Sequence, residues 1–100
     1  MMENDIEQLK TKPKWIKEEN GKFTAELKGI KYIMKEQKGS VLDTCEKRAE
    51  KGLNSLEVLL AKESLIEPKL TDQDFENLPG SVYLKLKLMT IYVYELNDFL

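Results

Sequence analysis

The stretch FTAELKGIKYIM, Phe23 to Met34, alternates apolar and polar residues on both sides of Lys28-Gly29. A period of two marks a strand with one buried face, and Lys28-Gly29 is a dipeptide on which the chain can reverse. With a two-residue turn there, Leu27 faces Ile30, Ala25 faces Tyr32 and Phe23 faces Met34, so these side chains project from one face of a hairpin. An apolar sheet face needs a cover, and the rest of the chain has to supply it.

Working upstream, Lys14-Trp15-Ile16 reads as the start of another strand, leading to Asn20-Gly21, a dipeptide that accepts the positive φ angles of a tight hairpin turn. Residues 1–13 offer only Ile6 and Leu9 as apolar anchors before Pro13, which predicts a flexible arm or a short helix followed by one domain over residues 14–100.

Downstream the period changes to that of helices. Ser40 is placed to cap a helix from Val41 to about Lys51, with Asp43 reaching back and Leu42, Cys45 and Ala49 inward, until Gly52 ends or bends it. Asn54 with Glu57 gives a second cap signal, Leu53 and Val58 have staple spacing, and Leu56, Leu59, Leu60 and Ile66 form a stripe that runs to Pro68. Thr71 and Asp74 open a short helix with Phe75 and Leu78 inward, broken at Pro79-Gly80. A last helix is expected from Ser81 to Leu100, burying Val82, Leu86, Met89, Val93, Leu96 and Leu100. The expected fold is therefore α+β, with N-terminal β-hairpins packed on a mostly helical C-terminal part of three to four helices.

That last helix carries a second apolar line. Leu84, Leu88, Ile91, Tyr92 and Phe99 fall away from the first stripe, and full burial of each is worth ~1.5–3 kcal/mol, several kcal/mol unrealised in an isolated helix. Either the domain buries the helix on two sides, or a partner or second copy covers this line.

Composition limits the function classes. The chain has 100 residues, enough for one modest core, with 41% apolar and 34% charged residues. Sixteen basic and 18 acidic residues give a net charge of -2, spread as 12 basic and 10 acidic up to residue 51 and 4 and 8 beyond it. No large excess of positive charge exists to neutralise phosphates. Cys45 is the single cysteine, which excludes an internal disulfide and fits a reducing compartment. The start lacks a secretory pattern and the most apolar stretch is interrupted by Lys85, Lys87, Glu95 and Asp98, so a cytoplasmic location with no membrane span is expected.

The absence of histidine removes serine or cysteine triads and histidine-based metal sites, so no catalytic residue, cofactor or metal is expected. Asp72, Asp74 and Glu76 are spaced like the opening of a calcium loop, but Asn77 stands where the turn glycine belongs and Tyr83 where the closing glutamate belongs. Acids at a helix N-terminus account for Asp72 and Asp74 without a metal. Cys45, in line with Leu42 and Ala49, reads as a small core residue. The lysines Lys14, Lys17, Lys22, Lys31 and Lys35 offer an alternative function, a small cytoplasmic adaptor or regulator binding nucleic acid through the lysine-bearing hairpin, although Glu18 and Glu19 interrupt the charge.

Three segments in order carry a resemblance: the hairpin GKFTAELKGIKYIMKEQ, the middle LLAKESLIEPKLTDQDFENLPGS and the closing YLKLKLMTIYVYELNDF. Together, from about Phe23 onward, they resemble the tail assembly chaperones of long-tailed bacteriophages and related prophages, including the XkdN-like group. Ile66-Glu67-Pro68, Leu70-Thr71 with Asp74, and Leu78-Pro79-Gly80-Ser81 before the Leu86–Leu96 helix carry it best. The resemblance implies a non-enzymatic protein of the bacterial host cytoplasm that holds the long helical tape measure protein and helps recruit tail tube protein subunits. Leu84, Leu88, Ile91, Tyr92 and Phe99 are then the expected partner-binding residues, for a client helix or a homo-oligomer, with no nucleic acid and no membrane as partner.

Overall fold

The computed structural model describes residues 13–52 and 55–95. Three strands, β1 (Ile16–Glu19), β2 (Lys22–Leu27) and β3 (Ile30–Lys35), form an antiparallel meander. Asn20 and Gly21 have φ of 53° and 77°, Lys28 and Gly29 have 49° and 79°, so both turns are of the type that follows the right-handed strand twist. The β2–β3 register is Leu27 to Ile30, Ala25 to Tyr32 and Phe23 to Met34, as the alternation requires. Ala25, Leu27, Tyr32 and Met34 are buried, and Phe23 is half-buried against them. Ile30 departs from the expected pattern: as the first residue after the turn it is 49% exposed.

Helix α1 (Gly39–Glu50) begins at Lys38, not at a Ser40 cap; Ser40 lies inside the helix, where its carbonyl accepts the Thr44 hydroxyl at 3.1 Å. Gly52, at φ 77°, closes α1 and donates its N–H to Ala49 O at 2.9 Å. Helix α2 (Leu56–Ser64) is capped by Ser55, whose hydroxyl accepts the Val58 N–H at 3.4 Å, one residue after the expected Asn54. Leu53, and with it the expected staple, lies outside the described residues.

The helix does not continue to Pro68. Leu65–Glu67 forms β4, antiparallel to β3, with Leu65 opposite Met34 and Glu67 opposite Ile33. Two steps along β4 match one along β3, which leaves Ile66 as the extra residue of a bulge. Proline disfavours helical backbone at the residue before it, and the open edge of β3 supplies hydrogen-bonding partners for an extended chain. The sheet order is β1-β2-β3-β4.

In α3 (Asp72–Glu76) the reciprocal cap is formed: Thr71 Oγ1 accepts the Asp74 N–H at 3.1 Å and Asp74 Oδ2 accepts the Thr71 N–H at 3.2 Å. Helix α4 (Gly80–Val93) is shorter than expected, because Tyr94 caps it and Glu95 takes a left-handed φ of 58°. Leu96 and Leu100, expected to extend its buried stripe, lie outside the described residues.

Helix α4 lies on the inner face of β2 and β3 and against α2. Its Val82, Leu86, Met89 and Val93 are 0–2% exposed and share one core with the sheet. Buried Thr90 sits in that core with its hydroxyl donated to Leu86 O at 2.8 Å and 3.6 Å from Met34 Sδ. A smaller core, Cys45 with Leu59 and Leu60, joins α1 to α2. Tyr94 touches both, and its hydroxyl accepts the Gln37 N–H at 2.9 Å and lies 2.6 Å from Ser64 Oγ.

Candidate functional site

The direction of α4 over the sheet follows from its two ends. Lys85 in its second turn reaches Trp15, just before β1, whereas Tyr94 at its close reaches Gln37, just after β3. Since Ile16 pairs with Ala25, the first turns of α4 lie at the Lys28-Gly29 end of the sheet. Leu84, 54% exposed, and Ile30, the two large apolar side chains most open to water among the described residues, are therefore at the same end of the molecule.

The buried side of α4 leaves an outer line. Leu84, Leu88 and Ile91 follow one another at four and three residues, with Leu84 exposed and the other two half-buried. Tyr92 does not belong to this line: it is 7% exposed and packed in the main core. On the helix it stands on the flank between the two stripes, and an aromatic ring there is long enough to turn inward. Burial pushes its phenol pKa up, as it does for Tyr32. Phe99, the remaining expected member, lies outside the described residues.

Cations and rings border the line. Lys85 Nζ is 5.6 Å from the centre of the Trp15 ring and Lys87 Nζ is 6.0 Å from that of Tyr83. Tyr83 meets Phe75 edge-on, with centroids 5.4 Å apart, and Lys62 Nζ lies 5.7 Å from the Phe75 centroid and 3.6 Å from Asp72 Oδ1. Asp72 and Asp74 are thus occupied by Lys62 and by the α3 cap.

The lysines of the hairpin lie on the opposite, uncovered face of the sheet. Strand alternation places Lys17, Lys22, Lys31 and Lys35 there, but the register sets Glu19 against Lys22 and Glu26 against Lys31. Phe23 and Tyr32 point to the core side, so this face has lysines without an aromatic platform for bases. Lys14 is exposed in the turn before β1.

Cys45 is 1% exposed at the floor of a cleft of about 250 Å³ lined by Ser40, Val41, Thr44, Arg48 and Glu63. Burial raises its thiol pKa, Glu63 adds to the rise and Arg48 opposes it, the reverse of what a nucleophilic thiolate needs. Among the described residues no three His, Cys, Asp or Glu side chains converge as metal ligands, and no helix is long and apolar enough to cross a membrane.

The missing piece of the sequence reading is the border of rings beneath lysines. Lys87 and Tyr83 are an i, i+4 pair on α4 itself and were open to a reading of spacing, whereas the partner of Lys85, Trp15, comes from the segment before β1 and is set by tertiary packing. The chain matches no protein-family model, no curated protein and no solved structure.

Proposed function

We propose that this chain is a non-enzymatic tail assembly chaperone that holds the tape measure protein and helps recruit tail tube subunits, using the outer side of α4. The observation that carries the reading is the line Leu84–Leu88–Ile91, whose first member is left 54% exposed on a helix whose opposite side is buried in the core. A long helical client offers side chains at the same spacing, and two such faces interlock by helix-in-groove packing. The resemblance of the hairpin, the Ile66–Ser81 segment and the closing apolar helix to that group supplies the identity of the client.

Co-expression tests it. A tape measure protein that precipitates alone should remain in the soluble fraction with this chain, and Leu84→Glu should remove the effect while the circular dichroism and melting of the chain are unchanged. A client that precipitates equally with and without the unmutated chain would sink the reading. A lysine-driven nucleic-acid role is disfavoured by the interleaved Glu19 and Glu26, and a mobility shift at low salt that vanishes with Lys22→Glu and Lys35→Glu would reinstate it.

A further inference from the structure

Between Gly80 and Val93 helix α4 carries two charged residues, Lys85 and Lys87, and no acid. At ~100° per residue Lys85 falls on one side of the Leu84–Leu88–Ile91 line and Lys87 on the other, so a short apolar strip has a cation along each rim. Neither cation has a carboxylate partner among the described residues. Among the described residues the one ion pair is Lys62 with Asp72, whereas Lys85 and Lys87 rest on the Trp15 and Tyr83 rings. A ring below an ammonium restrains the long side chain and leaves its net charge in place, which lowers the ordering cost of meeting an anion above it.

Building on the reading of α4 as the client face, we infer that this surface selects an amphipathic partner helix whose apolar stripe is bordered on both sides by carboxylates. The apolar strip supplies contact, and the two rim lysines supply the choice among helices of equal hydrophobicity, as complementary charge at an interface rim does. A second copy of this chain is a poor occupant, because its own α4 would bring lysines and no acid to the seam. An anionic membrane is also a poor one: two lysines on α4 fall short of the cluster of basic residues that holds a helix at an anionic surface.

The test uses the full chain and synthetic helical peptides of ~21 residues, about six turns. All share one leucine stripe and differ only in the bordering positions, filled by Glu, by Gln or by Lys. Fluorescence anisotropy at low salt should rank them Glu, then Gln, then Lys, each step about fivefold in Kd, since two exposed charge pairs are worth that much together. The steps should shrink toward unity at roughly 0.5 M salt, where screening shortens to a few ångströms. Lys85→Glu with Lys87→Glu should invert the order, and Lys85→Gln with Lys87→Gln should abolish it.

The outcomes separate the inference from its premise. If the three peptides bind alike to the unmutated chain and Leu84→Asp removes all of them, the client face stands and the charge selection is wrong. If none binds, both fall. Sedimentation showing a dimer that Leu84→Asp dissolves would assign the face to a second copy, and co-pelleting with vesicles of phosphatidylserine and phosphatidylcholine, lost with Leu84→Asp, would assign it to lipid; either result overturns the inference.

Discussion

The two cores of this molecule are built differently. The main one joins strands near the start of the chain to α4 near its end, and nearly every element contributes to it. The smaller one is local: α1 packs substantially against α2 alone, through Cys45, Leu59 and Leu60. A region held by one partner element opens at a lower free energy than a region held by many, so α1 is expected to detach while the sheet and α4 stay folded. The molecule carries a reporter in each region, Trp15 packed on the main core and the buried Cys45 thiol in the small one.

The sharpest test of that contrast pairs two truncations. Leu86→Ala, at a site with no exposure, should cost ~2–5 kcal/mol and lower the melting temperature read from Trp15 fluorescence. Leu60→Ala, equally buried in size, should instead speed the reaction of Cys45 with a thiol reagent far more than it lowers that melting temperature. Equal effects of the two on both readouts would show a single cooperative unit.

Tyr94 is the seam between the regions. Tyr94→Phe strands the Gln37 N–H and the buried Ser64 hydroxyl, at a cost of ~1–3 kcal/mol, and Ser64→Ala added to it should recover part of the loss by removing one of the orphaned groups. Denaturant midpoints of the single and double variants measure this directly.

Alkali should part the regions too. Cys45, Tyr32 and Tyr92 all have pKa values raised by burial, so each neutral form stabilises the fold fully below its ordinary pKa, and that contribution is lost as pH climbs through the raised one. The ordinary thiol value, about 8.5, lies below the phenol value of about 10. Cys45 labelling, corrected for the thiolate fraction, should therefore accelerate at a lower pH than the one at which Trp15 fluorescence reports global loss, and Cys45→Ala should leave the latter transition in place.

The smallest effect is expected outside both cores. Glu95 sits at a left-handed φ just past α4, and Glu95→Gly should stabilise by ~0.5–1 kcal/mol without changing Cys45 labelling relative to the global transition.

Much of this architecture is legible in the sequence where the determinants are local. The β2–β3 register follows from alternation around Lys28-Gly29, the first turn from Asn20-Gly21, and the α3 cap from Thr71 and Asp74. What escapes a linear reading is set by distant partners. Leu65-Ile66-Glu67 is too short to show a period of its own and continues the α2 stripe; only the free edge of β3 makes it a strand. Tyr94 ends α4 through groups far back in the chain, at Gln37 and Ser64. At the candidate site Leu84, Leu88 and Ile91 were readable from spacing, whereas the inward turn of Tyr92 depends on a core that spacing alone does not describe.

The bulge at Ile66 has a bearing on how the sheet meets other chains. Unpaired strand edges invite other chains to add on, and a protein that handles apolar clients would be exposed to that hazard. Here β4 is three residues long, kinked by Ile66 and followed by Pro68, and at the other side β1 has four residues of which Lys17, Glu18 and Glu19 face water. Neither border offers a long, flat template of backbone groups. Polymerisation through the sheet is thereby blunted at both margins, and a partner held in the proposed way would meet side chains on a helix, where contacts can be made and released one at a time.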